Sequence, residues 1–326
     1  MRAIHLHEFG PAENLRYETV PDPEPEPGQV RIAVRAAGVH LLDTSLRQGI
    51  IAAGPMPLTA LPTIPGREVA GTVDRVGPGV DESWLGRSVV AHIGQVPGGY
   101  AELTVTEAER LHEIPAGLDP GAAVAMIGTG RTALGILGFT DITADTVAIV
   151  PSAAGGIGTL LVQYLAEAGA TVIGLAGGKV KADQVYENGA DLALDYLDPS
   201  WPDAVRARYG EHPATLLFDG VGGEIARTAV DLLGKGGLRL VFGWSGGRIE
   251  LDDRALAERG VTSREVLGAP MLERSGGLRA LETRALAEAA AGRLRPAVHP
   301  FPLAEAAAAH RALETRATTG KVVLLP

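Results

Sequence analysis

The chain contains no cysteine. That absence removes disulfides, a thiol nucleophile, iron–sulfur ligation and any thiolate zinc site. No uninterrupted apolar run approaches the roughly 18 residues that a membrane-spanning helix needs, so no membrane association is expected. The opening "MRAIHLHEFG" alternates polar and apolar residues and builds no apolar h-region, which points away from a signal peptide and towards the cytoplasm. Positive charge is scarce: 29 Lys and Arg face 39 Asp and Glu, a formal net of −10. Phosphodiester backbones are gripped by clustered cations, so nucleic acid is not expected as a partner. Two signatures are missing too. There is no G-x-x-x-x-G-K-[ST] loop, and none of the six tyrosines has a lysine four residues later.

What is present is length for two domains, 326 residues with 43 glycines. Up to about residue 120, short alternating runs such as "QVRIAVRAAG" and "REVAGTVDRVG" are punctuated by Pro and Gly and read as β-strands. "PDPEPEPG" between two of them reads as a rigid turn. The proline-broken apolar stretch Ile50–Gly66 reads as a loop edging a pocket, with residues near Trp244 as further walls. From about residue 123 strands alternate with helices ("DTVAIV", "ATVIGLA", "DLALDY", "ATLLFDG", "GLRLVFG"), the rhythm of βαβ units in a doubly wound parallel sheet. The tail then reads helix, extended segment, helix and a last strand "GKVVLLP", too short to fold alone. The expected division is 1–122 for the β domain, 123–264 for the α/β domain and 265–326 for a return onto the first.

Within the α/β part, "VPSAAGGIG" places Ser152, Gly155 and Gly158 at i, i+3 and i+6 between a β-branched strand and a helix expected over Gly158–Ala168. Ser152, Ala153, Gly155, Gly156, Ile157 and Gly158 then form a turn whose free N–H groups and helix dipole suit a pyrophosphate. In that context the pattern points to a dinucleotide site. A carboxylate at the end of the second strand would bind ribose hydroxyls and select NAD. The residues there are Leu175-Ala176-Gly177-Gly178-Lys179-Val180-Lys181, with no acid before Asp183. Cations at a helix N-terminus oppose the macrodipole, so these lysines favour a ribose 2′-phosphate and NADP(H).

The ordered motifs "RAAGVHLLDTSLRQG", "PGREVAGTVDRVGPGV", "GGYAEL", "AAVAMIGTGRTA", the glycine turn, "FDGVGG", "FGWSGG" and "GKVVLLP" make the chain resemble, over its whole length, the zinc-independent quinone oxidoreductase branch of the medium-chain dehydrogenase/reductase family. The resemblance implies a GroES-like β domain plus a Rossmann domain, with the active site in the cleft between them. It implies that Lys181 and Tyr196 hold a 2′-phosphate and that Thr132, Gly177, Val221 and Phe242 line the cofactor. It also implies a homodimer formed through sheet edges, which would put strand 264–269 at the interface. Asp43, in the segment matching A-x-G-V-N-x-x-D, joins His40 and Arg131 as candidate catalytic residues.

His40 stands where that branch carries Asn and where zinc dehydrogenases carry Cys. A catalytic zinc needs three protein ligands. The motif that would supply the second reads Gly66-Arg67-Glu68, and no cysteine can be the third. His40 therefore reads as a hydrogen-bond partner of substrate or nicotinamide ribose, or as cleft packing. His40 and Arg131 are the candidate donors to a developing oxyanion. The tyrosine that many relatives carry after the D-x-x-x-R-x-G segment is missing, so water could deliver the proton. The expected function is metal-independent hydride transfer from NADPH to a quinone or enone. An enoyl or alkenal reductase, and a non-catalytic NADPH-binding protein, remain alternatives.

Overall fold

The computed structural model describes residues 1–50, 60–94 and 98–326. They divide into two compact units, one of residues 1–130, 282–291 and 296–326, the other of residues 131–281 and 292–295. These limits differ from those expected at 122/123 and 264/265. Pro120–Ala125 and the π-turn Met126–Gly130 stay with the first unit because they pack on its strands, and Ala269–Ser275 stays with the second by packing on its first helix. Most of the Ile50–Gly66 loop (51–59) lies outside the described residues.

The first unit opens with an antiparallel pair, β1 (Arg2–Leu6) and β2 (Leu15–Thr19). There follow β3 (Gln29–Val39), helix α1 (Leu41–Arg47), β4 (Glu68–Val76), β5 (Ser88–His92), β6 (Leu103–Glu107), β7 (His112–Glu113) and α2 (Pro120–Ala125). The alternation of "QVRIAVRAAGV" sends Val30, Ile32 and Val34 into a core shared with Val69, Val73 and Val89. Burying that one face is what fixes the register of β3 against β4.

The second unit holds α3 (Arg131–Leu137), β8 (Val147–Pro151), α4 (Gly156–Glu167), β9 (Thr171–Ala176), α5 (Lys179–Glu187), β10 (Leu192–Asp195), α6 (Trp201–Tyr209), β11 (Ala214–Asp219), α7 (Gly223–Asp231), β12 (Leu233–Val241), α8 (Asp253–Glu258), β13 (Thr262–Glu265) and α9 (Ala269–Ser275). All six strands are parallel in the order β10-β9-β8-β11-β12-β13. In terms of sequence rank this is 3-2-1-4-5-6, the Rossmann order. The central strands are apolar on both faces because helices cover both sides: Ala148, Ile149 and Val150 of β8 are fully buried. On α7 the buried residues are Ala226, Ala229 and Val230, the i, i+3, i+4 stripe of a helix lying on a sheet. The strand expected over 264–269 covers only Thr262–Glu265, the stretch whose backbone pairs with β12.

Helix α10 (Leu278–Ala290) contains the junction between the units. Beyond it β14 (Val298–Pro302), α11 (Ala306–Glu314) and β15 (Lys321–Leu325) complete the first unit. There β15 pairs antiparallel with β3, Val322 opposite Val39, giving the sheet order β14-β15-β3-β4-β5-β7 with β6 also on β3. Among the described residues no helix is long and apolar enough to cross a membrane.

Candidate functional site

In the second unit the order of the strands locates a ligand crevice. Strand order reverses between β8 and β11, and ligands bind outside the carboxyl ends of strands at such a switch point. The turn leaving β8 is "SAAGG". Ser152 is exposed and held at φ 55°, and its carbonyl accepts the Gly155 N–H at 2.9 Å. Gly155 caps α4, which starts at Gly156, two residues earlier than expected, because the capping glycine lies in extended conformation. The first N–H groups of α4, on Gly156, Ile157 and Gly158, have no partner four residues back within the helix and can cradle a phosphate. Gly158 serves the turn itself. A Cβ there would stand 2.3 Å from the Ser152 carbonyl oxygen and 2.7 Å from Ala153 Cα, so only glycine lets helix and turn approach this closely.

The same edge of the sheet gathers the other candidates. Val221 follows β11 and Phe242 follows β12, and both are tied to Asp219. Its Oδ1 accepts the Val221 N–H at 3.1 Å and the Gly222 N–H at 2.8 Å, while its carbonyl accepts the Phe242 N–H at 2.9 Å. Asp219 is fully buried and paired with Arg239, Nε to Oδ2 at 2.9 Å. At the end of β9 a Cβ on Gly177 would lie 2.7 Å from the Tyr196 hydroxyl, so the phenol rests directly on this glycine. The lysines that follow differ in role. Lys179 forms an i,i+4 pair with Asp183 at 2.8 Å, which accounts for a cation at the helix start. Lys181 is half-buried, and that burial lowers the pKa of its amine.

One residue here was hidden in the sequence. Asp195, opposite Ala176 across the sheet, brings a carboxylate to the end of β9 from the neighbouring strand. Its Oδ1 accepts the Gly178 N–H at 2.7 Å and the Leu197 N–H at 2.9 Å, which makes it a brace for the turn. Arg131 and Thr132 are half-buried at the start of α3. Trp244 lines a hollow of about 180 Å³ together with Arg239, Arg248 and Glu265, and the Arg248 guanidinium lies 4.0 Å from the Trp244 ring.

In the first unit His40 and Asp43 belong to one buried polar cluster. His40 is the N-cap of α1, and its Nε2 lies 2.6 Å from Glu68 Oε2 on β4 and 2.8 Å from Lys321 Nζ on β15. Lys321 Nζ is 3.0 Å from the same Glu68 oxygen. Glu68 and Lys321 are buried at 1% and 4% exposure, whereas a third of the His40 side chain is accessible. Space for the carboxylate comes from glycine: a Cβ on Gly128, in the π-turn, would stand 1.9 Å from Glu68 Oε1. Asp43 turns inward. Its Oδ2 accepts the His40 backbone N–H at 2.8 Å and the Tyr100 hydroxyl at 2.9 Å, and Arg67 lies 3.8 Å from Oδ1. Behind it the fully buried His310 ring has Nε2 3.4 Å from the same phenol oxygen. Nothing in the sequence marks Glu68 and Lys321 as members of this cluster, because β4 and β15 meet only across β3.

Comparison with known proteins places this architecture. Residues 26–116 match the alcohol dehydrogenase GroES-like domain, and residues 156–276 match a domain described as zinc-binding dehydrogenase. The chain is 31% identical to a 2-haloacrylate reductase of Burkholderia sp over 334 residues, 99% of this chain and 98% of that protein. It is 30% identical to a quinone oxidoreductase of Pseudomonas aeruginosa over 330 residues, 100% and 99% of the two chains. The chain belongs to the medium-chain dehydrogenase/reductase family, in its quinone oxidoreductase branch. The crystal structure of Escherichia coli quinone oxidoreductase complexed with NADPH superposes with a TM-score of 0.85 at 27% identity, over all of both chains.

Medium-chain dehydrogenases that carry zinc need three protein ligands for it. The cluster at His40 does not fit that metal. The chain has no cysteine, Arg67 stands in the motif that would provide a second ligand, and the Lys321 ammonium lies against both His40 and Glu68. A fixed positive charge on the only imidazole–carboxylate pair of the cluster repels a second cation.

Proposed function

We propose that this medium-chain dehydrogenase/reductase is an NADPH-dependent oxidoreductase that delivers hydride to a quinone or another α,β-unsaturated carbonyl compound without a metal. The observation that carries the reading is the glycine turn at the switch point of a 3-2-1-4-5-6 sheet. It is supported by full-length similarity to quinone oxidoreductases, one of them complexed with NADPH. Ser152, Ala153, Gly155, Gly156, Ile157 and Gly158 would hold the pyrophosphate, Thr132, Val221 and Phe242 would flank the nicotinamide half, and Gly177, Lys181 and Tyr196 would take the 2′-phosphate.

NADPH supplies the hydride; the chain supplies position and a proton. Reduction of a quinone or an activated alkene by two electrons needs one hydride and at least one proton, and the oxyanion needs a donor while it forms. His40 suits that task, because it alone in the cluster with Glu68 and Lys321 reaches solvent. Asp43 acts as a positioning residue that holds the start of α1 through the His40 N–H. Arg131 is the second donor candidate.

Oxidation of NADPH measured over a panel of quinones, enones and enoyl thioesters tests the reaction; cofactor binding with no turnover on any of them would instead favour a binding protein. NADPH should bind at least tenfold more tightly than NADH. Lys181→Ala should narrow that ratio by loss of NADPH affinity alone, in keeping with about 1.5–3 kcal/mol for a charged hydrogen bond. Equal affinity of the wild-type chain for the two cofactors would remove the NADPH assignment. We place the protein in the cytoplasm as a homodimer joined at β13, an edge strand whose four residues are all exposed. A monomeric mass by light scattering would eliminate that assembly.

A further inference from the structure

The N-terminal hairpin, which the proposed reaction does not use, carries a second constellation of chemistry-bearing side chains. His5 and His7 are two residues apart along the line of β1, so both rings project from one face, while Ile4 and Leu6 between and beside them are buried in the core. Glu18 on β2 is the cross-strand partner of Ala3 and belongs to that same face. Its Oε2 lies 3.2 Å from His5 Nδ1 and 2.9 Å from His7 Nε2, and the two imidazole centroids are 4.4 Å apart. Among the described residues this is the one group of three or more His, Asp or Glu side chains whose ligand atoms converge, all within 4.8 Å of one another.

We propose that His5, His7 and Glu18 form a divalent transition-metal site, separate from the zinc positions of the family. Tetrahedral zinc with bonds of about 2.0–2.1 Å sets its ligand atoms about 3.3 Å apart. The two distances found, 3.2 and 2.9 Å, fall short of that by about 0.1 and 0.4 Å, so rotations of these partly exposed side chains open the seat. Two imidazole nitrogens and one carboxylate oxygen select zinc, nickel, cobalt or copper over magnesium and calcium, which prefer all-oxygen shells. Access is open, since the three side chains are 22%, 45% and 34% exposed. Arg16, opposite His5 in register, lies on the same face of the hairpin. A fourth position stays open to water. A bound ion would tie β1 to β2 and stabilise the hairpin by mass action.

The test is isothermal titration of untagged, chelator-treated full-length protein with zinc, repeated with nickel, and thermal unfolding with and without the ion. One ion per chain is expected, with affinity falling at least tenfold in His7→Ala and in Glu18→Gln. The metal-induced rise in Tm should vanish in the double variant, while NADPH oxidation stays as in the wild type. Absence of binding, or binding that both substitutions leave unchanged, overturns the site. Loss of turnover on chelation would also overturn it, by placing the metal in the reaction.

Discussion

Lys321→Met should cost the protein about 3–5 kcal/mol of stability, the range for removing one partner of a buried ion pair. The reason is the company the ammonium keeps. Glu68 is 1% exposed and directs Oε2 at Lys321 (3.0 Å) and His40 (2.6 Å). Without the lysine a buried carboxylate loses its ammonium partner, and desolvation of that charge is no longer offset. The double variant Lys321→Met/Glu68→Leu should recover most of the loss, because an apolar pair of similar volume carries no charge into the interior. Urea unfolding of wild type, single and double variants measures both quantities. A single-variant loss below about 1 kcal/mol, the level of an exposed pair, would show that solvent already screens this contact. His40→Phe offers the converse case. Its side chain is one-third exposed, so stability should change little while turnover falls about 10²-fold or more if the imidazole provides the proton.

The Rossmann half was legible because its signals are local. Short runs rich in apolar residues, each followed by a helix, define β8 to β12, and the glycine turn falls at the start of α4. The cluster around His40 was not legible, for a physical reason. Glu68 and Lys321 are 253 residues apart, and nothing in "GREV" or "GKVV" announces that β4 and β15 both flank β3. Composition speaks to pairing between neighbours along the chain, whereas this pair is created by sheet order. Asp195 makes the same point at shorter range. Forward along the chain from β9 no acid comes before Asp183, but register brings a carboxylate in sideways from β10. The two lysines at the start of α5 look alike in sequence, and the pair of Lys179 with Asp183 tells them apart. The hairpin histidines stand two apart in "HLH", but only the register of β1 on β2 brings Glu18 to them.

Between pH 6.5 and about 4 the protein should lose stability steadily, and His310 should account for up to about 3 kcal/mol of the loss. Burial lowers the His310 pKa from 6.5 to about 4; the nearby Asp43 charge acts the other way, and Arg47 adds to the lowering. The hydrogen bonding fits a neutral ring. Tyr100 gives its one phenol proton to Asp43, so His310 Nε2 is left to donate to the phenol oxygen, and Nδ1 has no hydrogen-bond partner. Protonation would place an N–H⁺ at Nδ1 with nothing to accept it. The direction of the pH effect follows from proton counting. Above pH 6.5 the imidazole is neutral folded or unfolded and pH has no leverage. Below 6.5 the unfolded chain binds a proton that the folded chain refuses, so unfolding gains up to about 1.4 kcal/mol per pH unit until the folded value near 4 is reached. His310→Gln removes this titration, whatever it does to packing. Stability measured by urea at pH 7, 6, 5 and 4.5 should therefore fall less steeply in the variant, the two curves converging or crossing at the acid end. Parallel curves would mean that the buried imidazole takes up its proton without resistance, because water reaches it behind Asp43.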